Sequence, residues 1–346
     1  MRAMDVKAPG VVKLLGEHAV VYGKLAVAVA VSLYATAKVS DSEGDSITVS
    51  LPDIDEKRSI SGQELERLYS NYKSAEINAF VEEEGKKYGK ALPFAVVAAR
   101  LHAEGVAVLG KSVTITSDIP IGSGLASSAA CSTAFATALI SSGRGRMEDE
   151  TVIDIARDGE RVAHRNRGAG AIDVSTSFHG GVVSFEKSRG AKKEQVNALP
   201  DLVLVDTGPK LSTAVTVGRV SEHYKKDKEL TERILEEINR CSVAGLTALK
   251  DGQFKSLGAL MYEDQECLRQ LDVSSPALDK AVEIGKSAGA FGVKLSGGGG
   301  GGIAVAIGSN PDRIVDAMKL AGFVSHITSI AEEGARSYMK IRYQDQ

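Results

Sequence analysis

The chain has 346 residues and a formal net charge of −3, from 42 lysines and arginines and 45 aspartates and glutamates. Its 43% hydrophobic and 25% charged residues are typical of a globular protein and exclude a disordered chain. The near-neutral balance excludes a bulk attraction to nucleic acid or to an anionic membrane, and the longest apolar runs, such as 25–31, are far shorter than the ~20 residues that span a bilayer.

Apolar and alternating residues predict the secondary structure of the first half of the chain. Strands are expected where residues alternate in polarity, and helices where apolar residues recur every three to four positions. The patterns predict strands over 7–40 and 111–118, exposed helices or a mobile flap over 61–90, a packed helix over 91–105, a buried helix over 127–142 and a further helix over 149–165.

The second half differs in its order of elements. The patterns predict strands over 182–185, 202–205, 293–295 and 303–307, a polar linker over 187–194 and a run of helices over 213–271. Strands come first and helices later, without regular alternation, which predicts an α+β protein in two lobes. We expect an N-terminal domain of residues 1–186 and a C-terminal domain of residues 187–346.

The cysteines and the amino terminus indicate where the protein resides. Cys131, Cys241 and Cys267 are odd in number and widely spaced, which argues against a disulfide framework or a thiolate zinc site and favours a reducing compartment. Residues 1–7 carry charges where a signal peptide needs an apolar core. We therefore expect an unprocessed cytoplasmic protein.

Residues 105–112 match the G-x-x-x-x-G-K-[ST] pattern of a phosphate-binding P-loop, with Lys111 as its lysine. Such a loop follows a strand and precedes a helix, because the amino end of the helix supplies amide donors to the phosphates. Here a predicted helix comes first and a predicted strand follows. The sequence therefore argues against a P-loop ATPase built on Lys111.

A second glycine-containing loop, residues 120–126, has the required order, because a strand precedes it and the helix 127–142 follows. Unpaired amides and the macrodipole at a helix start favour an anion, and glycines let the backbone approach it closely. Ser127 and Ser128 could equally be simple N-caps of that helix. The motif alone leaves both interpretations open.

Six consecutive glycines, residues 297–302, lie between two predicted strands. Flexible linkers normally have polar flanks, whereas this run is flanked by the apolar segments 291–295 and 303–307. It therefore indicates a tight loop at which the backbone must approach another group closely.

Several polar residues are candidates for a substrate pocket. Lys13, Glu17 and His18 lie within one strand-and-turn segment, and Asp173 lies among small residues. Taken singly, such residues are more often surface groups or caps. Glu160 and a histidine four residues later share a predicted helix, a spacing that suits a divalent metal but more often marks a solvated face.

Three segments, in this order along the chain, resemble the motifs of the GHMP kinase superfamily. They are APGVVKLLGEHAVVYGK at residues 8–24, PIGSGLASSA at residues 120–129 and KLSGGGGGG at residues 294–302. The first has Val11 where the family usually has lysine, and the second has Ala126 where the family usually has glycine. Each motif alone would be weak evidence, but together they frame nearly the whole chain.

The resemblance implies a two-lobed α+β kinase with an ATP-binding N-terminal lobe and the active site in the cleft between the lobes. It implies that the ATP phosphates contact Pro120, Gly122, Ser123, Gly124, Leu125, Ala126, Ser127 and Ser128. It implies Mg²⁺ on Ser128 and Glu160, and Asp173 as the base or orienting carboxylate for the acceptor hydroxyl. Substrate contacts are implied for Glu17, His18, Thr213 and Gly298.

Two departures from the family pattern concern the catalytic groups. The spacing from Glu160 to Asp173 is two residues longer than usual. The lysine stands at position 13 instead of 11, and because alternate residues of a strand share a face, it is displaced by roughly 6–7 Å along that face. A long side chain covers part of this distance, so we expect the Lys13 ammonium to reach the reacting phosphate or Asp173.

Within the superfamily, the first motif most resembles that of enzymes that phosphorylate the primary hydroxyl of mevalonate. We therefore expect an ATP- and Mg²⁺-dependent kinase for that small molecule, without nucleic-acid or membrane partners. A sibling kinase for phosphomevalonate, a sugar or homoserine is the main alternative, and a non-catalytic nucleotide-binding sensor is a second. The sequence leaves the oligomeric state open, a homodimer included.

Overall fold

The computed structural model describes residues 4–120, 122–143, 147–336 and 338, so that part of the segment 1–7 considered above lies outside the described residues. Its strands are β1 Met4–Leu15, β2 Ala26–Asp41, β3 Ser46–Leu51, β4 Glu56–Ser61, β5 Lys111–Ser117, β6 Val182–Glu186, β7 Gly190–Glu194, β8 Leu202–Asp206, β9 Ala290–Leu295, β10 Ile303–Gly308 and β11 Val324–Thr328. Its helices are α1 Gly62–Ser74, α2 Ile77–Tyr88, α3 Leu92–Ala103, α4 Ser127–Ser142, α5 Asp149–Ala163, α6 Ala171–His179, α7 Thr213–Lys226, α8 Lys228–Lys250, α9 Phe254–Gln270, α10 Pro276–Ala288 and α11 Pro311–Leu320.

The N-terminal lobe is built on a sheet in which seven of the described strands take part. Their order is β4-β3-β5-β2-β6-β7, and β1 pairs with β2. β2 is long enough to pair with β5 through residues 35–41 and with β6 through residues 26–29. β1 and β2 run antiparallel, which places the first motif at the centre of this lobe.

The C-terminal lobe has an antiparallel sheet whose described strands follow the order β11-β8-β10-β9. The two lobes share a hydrophobic core, because Leu14 and Leu15 of β1 are buried in one cluster with Leu204 of β8 and Met261 of α9. This shared core holds the first motif against the second lobe.

Helix α4 confirms the predicted buried helix, with bounds at residues 127 and 142. Its small residues let it lie deep in the N-terminal lobe, against β1 and β2 as well as α3 and α5. Because the helix is held on several sides, its amino end occupies a fixed position, and so does the loop that precedes it.

The predicted polar linker over 187–194 is wrong, because β7 pairs antiparallel with β6 in that stretch. Glu194 is only 8% exposed; its carboxylate accepts a hydrogen bond from Ser184 Oγ at 2.7 Å and pairs with Lys250 Nζ at 2.7 Å. The stretch is an edge strand, whose charged residues face solvent and so resemble a linker in sequence. The N-terminal sheet therefore extends past the predicted boundary at residue 186.

The charged stretch 61–90 forms helices α1 and α2, and its apolar residues Leu65, Leu68 and Phe80 are buried. The argument against a P-loop at 105–112 is confirmed, because strand β5 begins at Lys111 and no helix follows at that point. The Lys111 ammonium pairs instead with Asp41 Oδ1 at 2.6 Å. Across the described ranges, no helix is both long and apolar enough to cross a membrane.

Candidate active site

A cleft of about 1180 Å³ lies between the lobes, and all three sequence motifs contribute to its walls. The first motif contributes Lys13, the second contributes most of residues 120–128, and the third contributes glycines of the run 297–302. Helices α5 and α6 add Glu160 and Asp173. Segments that are far apart in the chain therefore meet at one place.

The loop before α4 directs backbone groups into the cleft. Gly122 and Gly124 have φ angles of +77° and +94°, which glycine adopts without strain. No side chain of the described residues caps the amino end of α4, so Ser127 and Ser128 are not N-caps. The unpaired first-turn amides and the helix macrodipole are features that favour the binding of an anion. Of the two interpretations that the sequence left open, the structure favours the anion site; Ile121 lies outside the described residues.

Ala126 is the residue that directly precedes α4, with φ +54° and ψ +41°. An L side chain in this left-handed conformation costs roughly 1–2 kcal/mol, a penalty that glycine does not have. The backbone conformation therefore explains why glycine is usual at this position of the motif, and it shows that alanine is accommodated with the loop conformation retained.

Lys13 and Asp173 form an ion pair on the wall of the cleft. Lys13 Nζ donates a hydrogen bond to Asp173 Oδ1 at 2.6 Å, and the two side chains are 19% and 20% exposed. Burial alone would lower the pKa of Lys13, but the charge and hydrogen bond of Asp173 outweigh it and the pKa is raised. The displaced lysine therefore reaches the carboxylate as a cation, while Val11 is buried against Ile172 of α6.

Helices α5 and α6 approach each other closely enough to bring Glu160 and Asp173 to the same cleft. Gly170 precedes α6 with φ +80°, and a Cβ on it would lie 2.6 Å from the Cβ of Glu160. Only glycine permits this approach. The long spacing between the two carboxylates is thus accommodated in the turn that joins the helices.

Glu160 is 2% exposed, yet only one of its oxygens is paired. Its Oε2 lies 3.4 Å from His164 Nε2, and this contact raises the pKa of His164, whereas Oε1 has no hydrogen-bond partner among the described residues. An unpaired buried carboxylate oxygen in the cleft that Ser128 also lines offers, with the Ser128 hydroxyl, the hard oxygen ligands that Mg²⁺ prefers. The residues present therefore fit a magnesium ion.

Glu17 does not line the cleft but lies behind its wall in a buried charged cluster. Its Oε1 accepts a hydrogen bond from Lys294 Nζ at 2.5 Å, and Asp264 Oδ2 lies 3.5 Å from the same ammonium. All three side chains are at most 1% exposed. The cluster joins the first motif to α9 and β9 of the C-terminal lobe, directly before the glycine run.

His18 also lies behind the wall, at 6% exposure. Burial lowers its pKa to about 4, so the ring is neutral at pH 7 and Nε2 is the donor to the backbone oxygen of Gly298 at 2.9 Å. The first motif is therefore joined to the glycine run by this hydrogen bond, and to the strand before the run by the ion pair between Glu17 and Lys294.

The glycine run lies directly against the start of α7. A Cβ on Gly298 would lie 3.2 Å from the hydroxyl oxygens of both Thr213 and Thr216, which is tighter than ordinary contact. The residue before the run, Ser296, accepts a hydrogen bond from Lys13 N at 2.9 Å through its hydroxyl oxygen. Thr213 and Gly298 therefore face the cleft together, close to the Lys13–Asp173 pair.

Three residues of this region were missed in the sequence analysis: Lys294, Asp264 and Lys210. Lys294 had a recognisable signal, because a lysine inside the apolar strand β9 needs a buried counter-charge. Asp264 had none, since it lies on an amphipathic helix far away in sequence. Lys210 stands three residues before Thr213 and lines the cleft.

The Asp264 carboxyl makes stability depend on pH. Burial, together with the nearby Glu17 carboxylate, raises its pKa to about 7 against the attraction of Lys294. Between about pH 4 and pH 7 the folded protein keeps a proton on Asp264 that the unfolded chain releases. The contribution of this carboxyl to the stability of the fold is therefore largest at low pH and is lost as pH rises towards 7. We therefore compare the free energies of unfolding of wild type and of Asp264→Asn. We expect the difference, wild type minus variant, to decrease as the pH is raised from 4.5 to 7.5.

Urea titrations at several pH values would measure this difference. The His18 ring titrates in both proteins and cancels in the subtraction. A difference that stays constant with pH, or rises with it, would contradict the raised pKa of Asp264.

An uncapped helix start, a lysine–aspartate pair and an unpaired buried carboxylate in one cleft are features of a class of enzymes, those that transfer a phosphoryl group. Two family models match the chain: GHMP kinases N terminal domain over residues 92–181 and GHMP kinases C terminal over residues 246–322. A mevalonate kinase of Pyrococcus abyssi is 32% identical over 97% of this chain and 98% of its own, and one of Thermococcus sibiricus is 31% identical over 95% and 96%.

A solved structure agrees with these relatives. The crystal structure of L. major mevalonate kinase in complex with R-mevalonate matches at a TM-score of 0.75 and 25% identity, over 94% of this chain and 95% of that one. The chain belongs to the GHMP kinase family. It is therefore a kinase of two-lobed α+β fold, and the family implies that ATP is its phosphoryl donor.

Proposed function

We propose that this protein transfers the γ-phosphoryl group of ATP to the primary hydroxyl of mevalonate, giving 5-phosphomevalonate and ADP. The observation that carries the proposal is the Lys13–Asp173 pair in the same cleft as the uncapped start of α4. The relatives named mevalonate kinase, which match along nearly the whole chain, support mevalonate as the acceptor.

The phosphates of ATP are held at the amino end of α4. The amides after Gly124 and the hydroxyls of Ser127 and Ser128 donate to phosphate oxygens, as helix starts do for anions. Phosphoryl transfer depends on positioning and charge neutralisation more than on covalent participation of the protein. The fixed position of the buried helix α4 supplies the positioning.

Asp173 orients the acceptor. A new bond forms between the acceptor oxygen and the γ-phosphorus, the bond from that phosphorus to the bridging oxygen of ADP breaks, and the hydroxyl proton passes to Asp173. Because the transition state is loose, the proton need not leave before the attack. Lys13 pairs with the carboxylate and neutralises charge on the γ-phosphoryl group as it is transferred.

Ser128 and Glu160 would hold Mg²⁺, which when bound neutralises charge on the phosphates. The other oxygen of Glu160, Oε2, is paired with His164, so Oε1 would be free to bind the ion. Glu160→Gln keeps the shape and removes the charge. We expect this change to raise the Mg²⁺ concentration needed for half-maximal rate by at least tenfold, which a magnesium titration at saturating ATP would measure; an unchanged midpoint would contradict the assignment.

The substrate side of the cleft is assigned to Thr213 and Gly298, which face it directly. Glu17 and His18 act on the substrate from behind the wall, because their side chains hold the glycine run in place. The sequence left the oligomeric state open, and sedimentation of the purified protein would determine whether it forms a homodimer.

A coupled assay for ADP tests the function. The purified protein is offered mevalonate, phosphomevalonate, galactose and homoserine with Mg²⁺ and ATP, and we expect turnover with mevalonate to exceed the others by at least a hundredfold in kcat/KM. Turnover of a different acceptor in preference to mevalonate would refute the proposed substrate. Nucleotide binding without turnover of any acceptor would favour a sensor.

A further inference from the structure

The backbone around Lys210 is fixed against the glycine run. Gly302 N donates to Gly208 O at 3.0 Å, and Leu211 N donates to Gly300 O at 3.2 Å. A Cβ on Gly302 would lie 3.3 Å from both Cβ and Cδ of Lys210, so the lysine side chain runs along this glycine. The backbone of Lys210 and the first carbons of its side chain are therefore held in place.

From this anchor the side chain extends to the opposite lobe. The Lys210 ammonium lies 3.5 Å from where a Cβ on Gly124 would be, in the loop before α4. It lines the same cleft as Lys13 and Asp173. A residue of the C-terminal lobe thus brings a positive charge to the anion site of the N-terminal lobe.

The Lys210 ammonium has no hydrogen bond or ion pair with another residue of the described ranges, whereas the ammonium of Lys13 is paired. Burial lowers the pKa of Lys210, and the charge of Lys13 lowers it further, against a smaller effect of Asp173. A partly desolvated cation beside a second cation is stabilised when an anion enters between them. Lys210 as a whole is exposed to solvent, so the free protein presents at its phosphate loop an accessible cation that pairs with no other described residue.

We propose that Lys210 binds the terminal phosphates of ATP from the C-terminal lobe. The triphosphate is then held between the amides of α4 on one side and an ammonium of the other lobe, so that nucleotide binding links the two lobes. This inference deepens the proposed function and rests on it for the identity of the nucleotide. The acceptor carboxylate is the other anion in the cleft, but the position of the ammonium beside Gly124 assigns it to the phosphates.

Equilibrium binding of ATP and of AMP to the full chain, by calorimetry, tests the proposal with Lys210→Met. A charge-assisted hydrogen bond lost from a phosphate weakens binding by about 10- to 100-fold. We expect that loss for ATP and a change of less than threefold for AMP, which lacks the terminal phosphates. Lys210→Arg keeps the charge and should recover most of the ATP affinity.

Lys319→Met serves as the matched control, because this exposed lysine of α11 lies outside the cleft. Circular dichroism and thermal unfolding of each variant show that the fold is retained. An ATP affinity of Lys210→Met equal to wild type would overturn the proposal, and so would equal losses for ATP and AMP. A raised KM for mevalonate with unchanged ATP affinity would assign the ammonium to the acceptor carboxylate instead, which also overturns it.

The proposed function and this inference fail separately. If wild type binds ATP but phosphorylates other acceptors, the acceptor is wrong, while the ATP and AMP affinities still decide the role of Lys210. If wild type phosphorylates mevalonate and Lys210→Met binds ATP as tightly, only the inference fails.

Discussion

Replacing Asp173 with asparagine is expected to lower kcat by about 10²- to 10⁴-fold, the range that a positioned general base contributes. Asparagine has nearly the same shape but accepts no proton from the acceptor hydroxyl, and it leaves the Lys13 ammonium without its counter-charge. The amides of α4 are unaffected by the change. ATP affinity should therefore stay within about threefold of wild type, and the loss should appear in kcat.

Steady-state kinetics with mevalonate, together with calorimetric binding of ATP, would measure both quantities. Lys111→Ala is the matched control, because this lysine completes the rejected P-loop pattern, pairs with Asp41 where strands β5 and β2 meet, and does not line the cleft. We expect it to retain wild-type ATP affinity and turnover. A kcat for Asp173→Asn above a tenth of the wild-type value would contradict the assigned role, and loss of ATP binding in Lys111→Ala would restore the P-loop hypothesis.

Lys13 and Asp173 act as one unit, so their variants should not be additive. Lys13→Met removes the cation that holds the carboxylate and neutralises the transferred group. Because each single change already disables the pair, the double variant should be little slower than the slower single variant. Measuring kcat for the two single variants and for the double variant tests this. If the two residues contributed independently, the fold-losses in kcat of the single variants would multiply in the double variant.

The backbone geometry of the proposed phosphate site was predictable from the sequence because it depends on local interactions. A strand, a loop with Gly122 and Gly124 and a helix of small residues define the geometry within about twenty positions, and the observed bounds of α4 match the prediction. The same reasoning correctly rejected residues 105–112, since the order of helix and strand is also a local property. Whether Ser127 and Ser128 cap the helix required coordinates, because it depends on side-chain rotamers.

Contacts between distant segments could not be predicted in the same way. The sequence places Glu17 in a motif and suggests a substrate contact, whereas the fold turns its carboxylate towards Lys294, 277 positions away. Edge strand β7 was missed because its charged residues face solvent, and because the partner of its buried residue Glu194 is Lys250 of a later helix. Lys210 can be recognised as a residue of the site only from the fold, because the fold brings the glycine run and the phosphate loop together.

Lys294→Met is expected to lower the free energy of unfolding by about 3–5 kcal/mol, the usual cost of breaking a buried ion pair from one side. The ammonium is fully buried, and its removal leaves Glu17 and Asp264 facing each other without a cation. Either carboxylate must then take up a proton or remain charged in an apolar surrounding. Turnover should also fall, because the cluster holds the turn before His18 and the glycine run.

The origin of this loss can be tested with pH and a second substitution. Without the lysine, both carboxyl groups are more readily protonated in the folded state than in the unfolded chain, so the penalty should shrink as pH falls from 7.5 to 5. The double variant Lys294→Met with Glu17→Gln removes one of the two like charges. It should recover at least half of the lost stability, since neutralised buried clusters are often no less stable than charged ones. Urea unfolding at both pH values measures each penalty. If the single and double variants unfold at the same urea concentration at pH 7.5, the loss comes from packing around the lysine stem, and the cluster does not act through its charges.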